Sequence, residues 1–299
     1  MATSFHFPLT ILLVLLLLTL PLKSAAGGIA VYWGQNDNEG KLTDTCNSGL
    51  YKYVNLAFLY NFGYGQSPRL NLASHCDPPS GGCKGVSNGI RACQSRGIKV
   101  FLSLGGAVGN YGFSTADEAR GLAQYLWDNY LGGQSGNRPL GDASLDGIDL
   151  DIERGSSQYY ADLVGRLTEI GQQHGKKVYF SAAPQCPFPD QSDDPVLRTG
   201  LIDFVWIQFY NNKECEFKSG IPGDFQNSWR KWTSSIPARK FFVGLTASPA
   251  GDGYVPSALM KSRLLPFVQQ SGDKYGGVML WDRGNDIESG YSSKIIGSV

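Results

Sequence analysis

Eight short runs rich in β-branched and aromatic residues recur along the chain, at 28–33, 52–59, 98–104, 145–152, 177–182, 204–209, 241–245 and 277–281. Each has the length and composition of a buried strand. The segments between them are longer and more polar, and several have helical spacing. Over 115–130, Ala119, Leu122, Ala123 and Leu126 fall on one side, and over 156–173 Leu163, Val164, Leu167 and Ile170 do the same. Strands that are apolar on both faces and alternate with helices belong in a parallel sheet covered on both sides. Eight of them in about 270 residues predict one α/β domain, a single (β/α)8 TIM barrel. A doubly wound open sheet is the rival, but no Gly-x-Gly-x-x-Gly follows the first strand. No linker, repeat or low-complexity tract splits off a second domain, and the Gly/Pro/Ser-rich stretch 74–85 reads as one long loop.

The chain opens with an apolar run over 11–20, then Lys23 and Ser24-Ala25-Ala26. This order reads as a signal peptide, residues 1–26, cut after Ala26, although its first part holds only His6 and neither Lys nor Arg. The run is too short for a membrane span, which needs about 20 residues. The barrel is therefore assigned to 27–299. Without residues 1–26, basic and acidic residues number 25 and 26. Such a balance disfavours nucleic acid or another polyanion as partner and suits an uncharged substrate. All six cysteines lie after Ala26, and an even number behind a signal peptide reads as disulfides, with fifteen pairings open. No Cys-x-x-Cys is present, and His75 and His174 are the remaining histidines, so a His-centred metal site is not expected. Both histidines read as structural or solvated.

The fourth run, Leu-Asp-Gly-Ile-Asp-Leu-Asp-Ile-Glu (145–153), alternates acids with aliphatics. In an extended strand Asp149, Asp151 and Glu153 share one face, and Ile148, Leu150 and Ile152 the other. Like charges on one face of a buried strand repel, so at least one acid is expected to stay protonated near neutral pH, as a general acid must. A solvated edge strand or a divalent-cation site are the alternatives. The regular aliphatic back argues against the first, while clustered carboxylates do suit hard cations.

Barrel active sites form at the C-terminal strand ends. Those ends carry Tyr32, Trp33, Gln35 and Asn36; Phe58 and Asn61; the three acids; Gln208 and Tyr210, in phase with Trp206; and Trp281 with Asp282. Rings beside amides and acids suit a carbohydrate, whose apolar faces stack while its hydroxyls take hydrogen bonds. Trp206 and Phe209, taken singly, read as core.

Asp146-Gly-Ile-Asp-Leu-Asp-Ile-Glu153 resembles the Asp-Gly-x-Asp-x-Asp-x-Glu signature of family 18 glycoside hydrolases. Ala30-Val-Tyr-Trp-Gly-Gln35, Leu102-Ser-Leu-Gly-Gly106, the Ala-Ala-Pro-Gln-Cys-Pro-Phe-Pro run at 182–189, Trp206-Ile-Gln-Phe-Tyr-Asn-Asn212 and Tyr275-Gly-Gly-Val-Met-Leu-Trp281 are similar to class III (hevamine-type) plant chitinases. The resemblance runs over 27–299. It implies the (β/α)8 barrel and an endochitinase acting on chitin and N-acetylglucosamine oligosaccharides without a cofactor or metal. The implied protein is a secreted monomer of plant defence, extracellular or vacuolar, with lysozyme-like side activity. The implied mechanism is substrate-assisted and retaining, an exception to the two-carboxylate scheme. Glu153 is the implied acid and base. Asp151 orients the substrate acetamide, Asp149 shares a proton with Asp151, and Tyr210 bonds the acetamide oxygen. Trp281, Tyr32, Gln35, Phe58, Asn71 and Gln208 are the implied substrate-binding positions. Implied disulfides are Cys46–Cys93, Cys76–Cys83 and Cys186–Cys215, and implied cis peptides are Ala57-Phe58 and Trp281-Asp282.

Departures from the family pattern are Ala107 for a glycine, a shortened loop over 245–253, Lys213-Glu214 for a diproline, and Asp282-Arg283 after Trp281. A non-enzymatic alternative is a catalytically weak or inactive chitinase-like lectin, enzyme inhibitor or storage protein on the same barrel.

Overall fold

A computed structural model describes residues 27–299; the expected signal peptide, residues 1–26, lies outside them. Eight parallel strands run in the order of the chain: β1 (Gly28–Trp33), β2 (Tyr53–Gly63), β3 (Lys99–Gly105), β4 (Gly147–Asp151), β5 (Tyr179–Ala182), β6 (Phe204–Gln208), β7 (Lys240–Thr246) and β8 (Tyr275–Trp281). Each pairs with the next, and β8 returns to β1, so the sheet is a closed (β/α)8 barrel. The expected helices follow β3 and β4 as α3 (Ala116–Leu126) and α4 (Tyr160–Gln173), after α1 (Leu42–Asn47) and α2 (Val86–Gln94). Thr115 caps α3 by accepting from the Glu118 amide at 3.2 Å, which starts the helix where the apolar stripe begins.

The second strand runs past its expected end at 59 and turns back as a hairpin strand, Gln66–Leu70. Its turn is Tyr64-Gly65, both with positive φ. That pair of conformations is normally signalled by Asn-Gly or Asp-Gly, and tyrosine at the first position hides it. The loop over 74–85 contains two short 3₁₀ turns and is clipped by Cys76–Cys83, while Cys46–Cys93 ties α1 to α2 and Cys186–Cys215 joins the loops after β5 and β6. These are the three pairings the resemblance implied. The cis peptides at Ala57-Phe58 and Trp281-Asp282 are present, with a third at Phe188-Pro189.

Two cores result. The larger lies between strands and helices, built from the outward aliphatics of the strands and the helical stripes. The smaller fills the barrel and is aromatic: Phe204 stacks on Trp206 with centroids 5.6 Å apart, and Trp206 meets Phe242 edge-on at 4.4 Å. This plug closes the lower barrel. The inward acids of β4 therefore sit on an apolar floor and face the open C-terminal end.

Candidate active site

Register brings the first polar layer together. Ser103 of β3 and Ser181 of β5 stand directly opposite Asp149 on either side. Both hydroxyls donate to its carboxylate, at 2.6 Å each, and the Tyr32 hydroxyl and Trp206 indole N–H add bonds of 2.8 and 2.9 Å. Asp149 is fully buried. Burial pushes its pKa up, and the four donors oppose that by holding the carboxylate. Trp206 is thus a core ring, as expected, with its polar edge used on an acid.

One layer higher, Asp151 is 3 % exposed and takes a 3.0 Å hydrogen bond from the Gln208 amide. Burial raises its pKa well above the carboxylate range, with Glu153 the next cause and Asp149 after it. Glu153 opens to solvent at the barrel mouth but is enclosed along its flanks, and burial again raises its pKa. Glu153 and Asp149 thus flank Asp151 on the same face, and each disfavours its ionised form.

Asp151, Glu153 and Gln208 line a cavity of about 540 Å³ with Tyr32, Phe58, Tyr210 and Trp281 among its walls, and Asp149 lies beneath it. Trp281 packs beside Phe58 at 5.9 Å and Tyr32 at 5.5 Å to give an aromatic floor. Burial and the neighbouring Asp151 and Glu153 push the Tyr210 hydroxyl well above its ordinary pKa, so it stays a donor. Tyr111, which no strand-end survey singles out, fixes the turn after β4: its hydroxyl donates to the Gly106 carbonyl at 2.6 Å and accepts from the Glu153 amide at 3.2 Å. Gly105 is required there, because its φ is +109° and a Cβ would lie 2.2 Å from the Asp151 carbonyl.

The model for Glycosyl hydrolases family 18 matches residues 28–250. The chain is a family 18 glycosyl hydrolase. Among relatives of this hydrolase is a basic endochitinase of Nicotiana tabacum, 57 % identical over 293 residues that cover 97 % of this chain and 98 % of the relative. Among solved structures, a chitinase from Ipomoea carnea superposes with a TM-score of 0.88 at 47 % identity, covering 91 % of this chain and all of the other. A xylanase and α-amylase inhibitor protein from Scadoxus multiflorus shares the fold at a TM-score of 0.85 and 40 % identity, over 91 % and 99 % of the two chains.

Not every expected position of this family 18 chain reaches the cavity. The Gln35 amide is directed to the backbone carbonyls of Gly34, Ala57 and Asn71, at 2.9, 2.8 and 3.2 Å. The Asn71 backbone pairs with Phe58, and its side-chain oxygen accepts from Ala73. Neither residue lines the cavity wall. His75 meets the buried Glu39 at 2.8 Å and packs on Trp33, away from the acids. Among the described residues no group of three or more His, Cys, Asp or Glu is arranged to hold a metal ion.

Of the departures, Ala107 and the loop after β7, through Ser248, Gly251 and Asp252, border the cavity. Asp282 turns away: its Oδ1 caps the last helices by accepting from the Asn285 amide at 2.9 Å, and Arg283 donates to the Tyr51 hydroxyl at 2.7 Å. Gln185, Thr246 and Asn285 line the wall without having been foreseen. Gln185 follows β5 and Thr246 ends β7; the rings of those runs, Tyr179, Phe180, Phe241 and Phe242, stand at the opposite strand ends, and no acid or ring marks the C-terminal ends.

Proposed function

We propose that this hydrolase is a secreted, monomeric endochitinase that cleaves β-1,4 bonds between N-acetylglucosamine units with net retention. In this reading the Glu153 carboxyl gives its proton to the glycosidic oxygen as the bond to the anomeric carbon breaks. The acetamide oxygen of the same sugar attacks that carbon from the opposite face. Asp151 accepts from the acetamide N–H and offsets the positive charge that develops, and Tyr210 donates to the acetamide oxygen. Water then opens the oxazolinium ring and passes its proton to the Glu153 carboxylate. Asp149 lies beneath Asp151, and the like charges of the stacked acids keep them from all ionising together, so that a proton stays available to Glu153. Trp281 is the floor on which the reacting sugar stacks.

The observation that carries this reading is the joint placement of Asp151, Glu153, Tyr210 and Trp281 on one cavity wall. The endochitinase names of the relatives support it. Lysozyme-like activity and a part in plant defence, outside the cell or in a vacuole, belong to the same proposal. The inhibitor fold-mate supplies the second reading, a protein that binds without cleaving. Purified protein incubated with chitin oligosaccharides should give shorter products, and Glu153→Gln should abolish them while retaining binding. Binding without products in the unaltered protein would establish the second reading.

A further inference from the structure

Three side-chain amides form a chain that ends on Asp151. Asn212 Nδ2 donates to Gln185 Oε1 at 2.6 Å, Gln185 Nε2 donates to Gln208 Oε1 at 3.0 Å, and Gln208 Nε2 donates to Asp151 Oδ1 at 3.0 Å. The direction is fixed at both ends. Gln208 Nε2 also donates to the Ala183 carbonyl at 2.8 Å, and Asn212 Nδ2 to the Tyr210 carbonyl at 3.0 Å, and a carbonyl accepts only. With both ends set, the middle amide has one orientation that satisfies its neighbours.

The middle residue is firmly held. The Gln185 backbone N–H donates to Asp190 at 2.8 Å, the Gln208 N–H donates to the Pro184 carbonyl at 2.9 Å, and Cys186–Cys215 binds the two loops together beside them. A flipped Gln208 amide would turn its carbonyl oxygen toward both Asp151 and Ala183, leaving a buried carboxylate without its donor.

We infer that Gln185 is a positioning residue for Asp151: it fixes the Gln208 amide so that an N–H faces the carboxylate, and Gln208 thereby orients Asp151. This rests on the role given to Asp151 above. The chain has the polarity that aligned hydrogen bonds reinforce, so its effect is exerted from two residues away.

Two variants test it. Gln185→Met keeps the volume and removes both bonds. Gln185→Glu, when ionised, accepts from both neighbours and forces the Gln208 amide to flip, whereas its protonated form donates to one and accepts from the other as glutamine does. On chitin oligosaccharides Gln185→Glu should lose about tenfold in kcat at neutral pH with KM within twofold, the loss of a hydrogen bond to a charged group. That deficit relative to the unaltered protein should shrink as pH falls through the glutamate range, near roughly 4.3. Gln185→Met should show a deficit that does not change with pH. In parallel, carbon-13 NMR of the Asp151 carboxyl, assigned with Asp151→Asn, should show titration at higher pH in Gln185→Met. An unchanged Asp151 titration, or a Gln185→Glu deficit constant across pH, overturns the inference. If the unaltered protein cleaves no chitin oligosaccharide, the functional reading falls by itself and the Asp151 titration still decides this one.

Discussion

Asp149, Asp151 and Glu153 lie two residues apart on one strand, yet each meets different surroundings. Asp149 sees four donors and no solvent, Asp151 sees an amide and a second acid, and Glu153 sees the cavity mouth. A group that stabilises charge in the transition state affects turnover more than ground-state binding. Asp151→Asn should therefore lower kcat by about a hundredfold or more while KM moves only a few-fold. Steady-state kinetics on a chitin oligosaccharide measures both, and equal losses in the two would contradict the role. A fourth acid nearby behaves differently. Asp193 is 1 % exposed, and neither carboxyl oxygen has a partner among the described residues. Burial pushes its pKa well above the ordinary value, with Asp190 the next cause. A raised acid pKa means that the native state keeps a proton the unfolded chain releases, so stability falls as pH rises from the unfolded value, about 3.9, toward the folded one. Asp193→Leu, nearly isosteric, should raise stability by about 1–3 kcal/mol at pH 7, the usual penalty of a buried polar group without partners. The gain should be smaller at pH 4. Thermal unfolding at the two pH values checks the sign.

Among the elements, the loops after β5 and β6 hold Gln185, Asn212 and, between them, Cys186–Cys215. Replacing both cysteines by serine should destabilise the fold by about 3–4 kcal/mol in the chain-entropy account for a closed loop of 29 residues. Denaturant unfolding measures it, and a loss under about 1 kcal/mol would mean that packing alone holds these loops. The strands themselves were legible because period-two acids and near-continuous aliphatic runs are local patterns, and β4 announced its acids through them. The hairpin after β2 was not legible, since Tyr64 occupies a turn position where asparagine or aspartate gives the usual signal. Ser103 and Ser181 were not legible either. Nothing in a single run marks a serine as the partner of Asp149; only the register of three strands places them at one level. Gln35 shows the opposite failure: it sits at a strand end, as a binding residue would, but its amide serves the backbone of the next loop.

At the level of the whole molecule, the aromatic plug of Phe204, Trp206 and Phe242 closes the barrel below the acids and leaves one open end. Formal charge is balanced, and the cavity wall carries Asp151, Glu153 and Asp252 with neither Lys nor Arg among the described residues. An uncharged polymer meets no repulsion there. No helix among the described residues is long and apolar enough to cross a membrane. The central claim is that these acids cleave a glycosidic bond with the substrate's own acetamide as nucleophile. Proton NMR of the first products from a chitin oligosaccharide, recorded before mutarotation, tests it most directly. Retention predicts the β-anomer as the initial reducing end; the α-anomer would contradict the account.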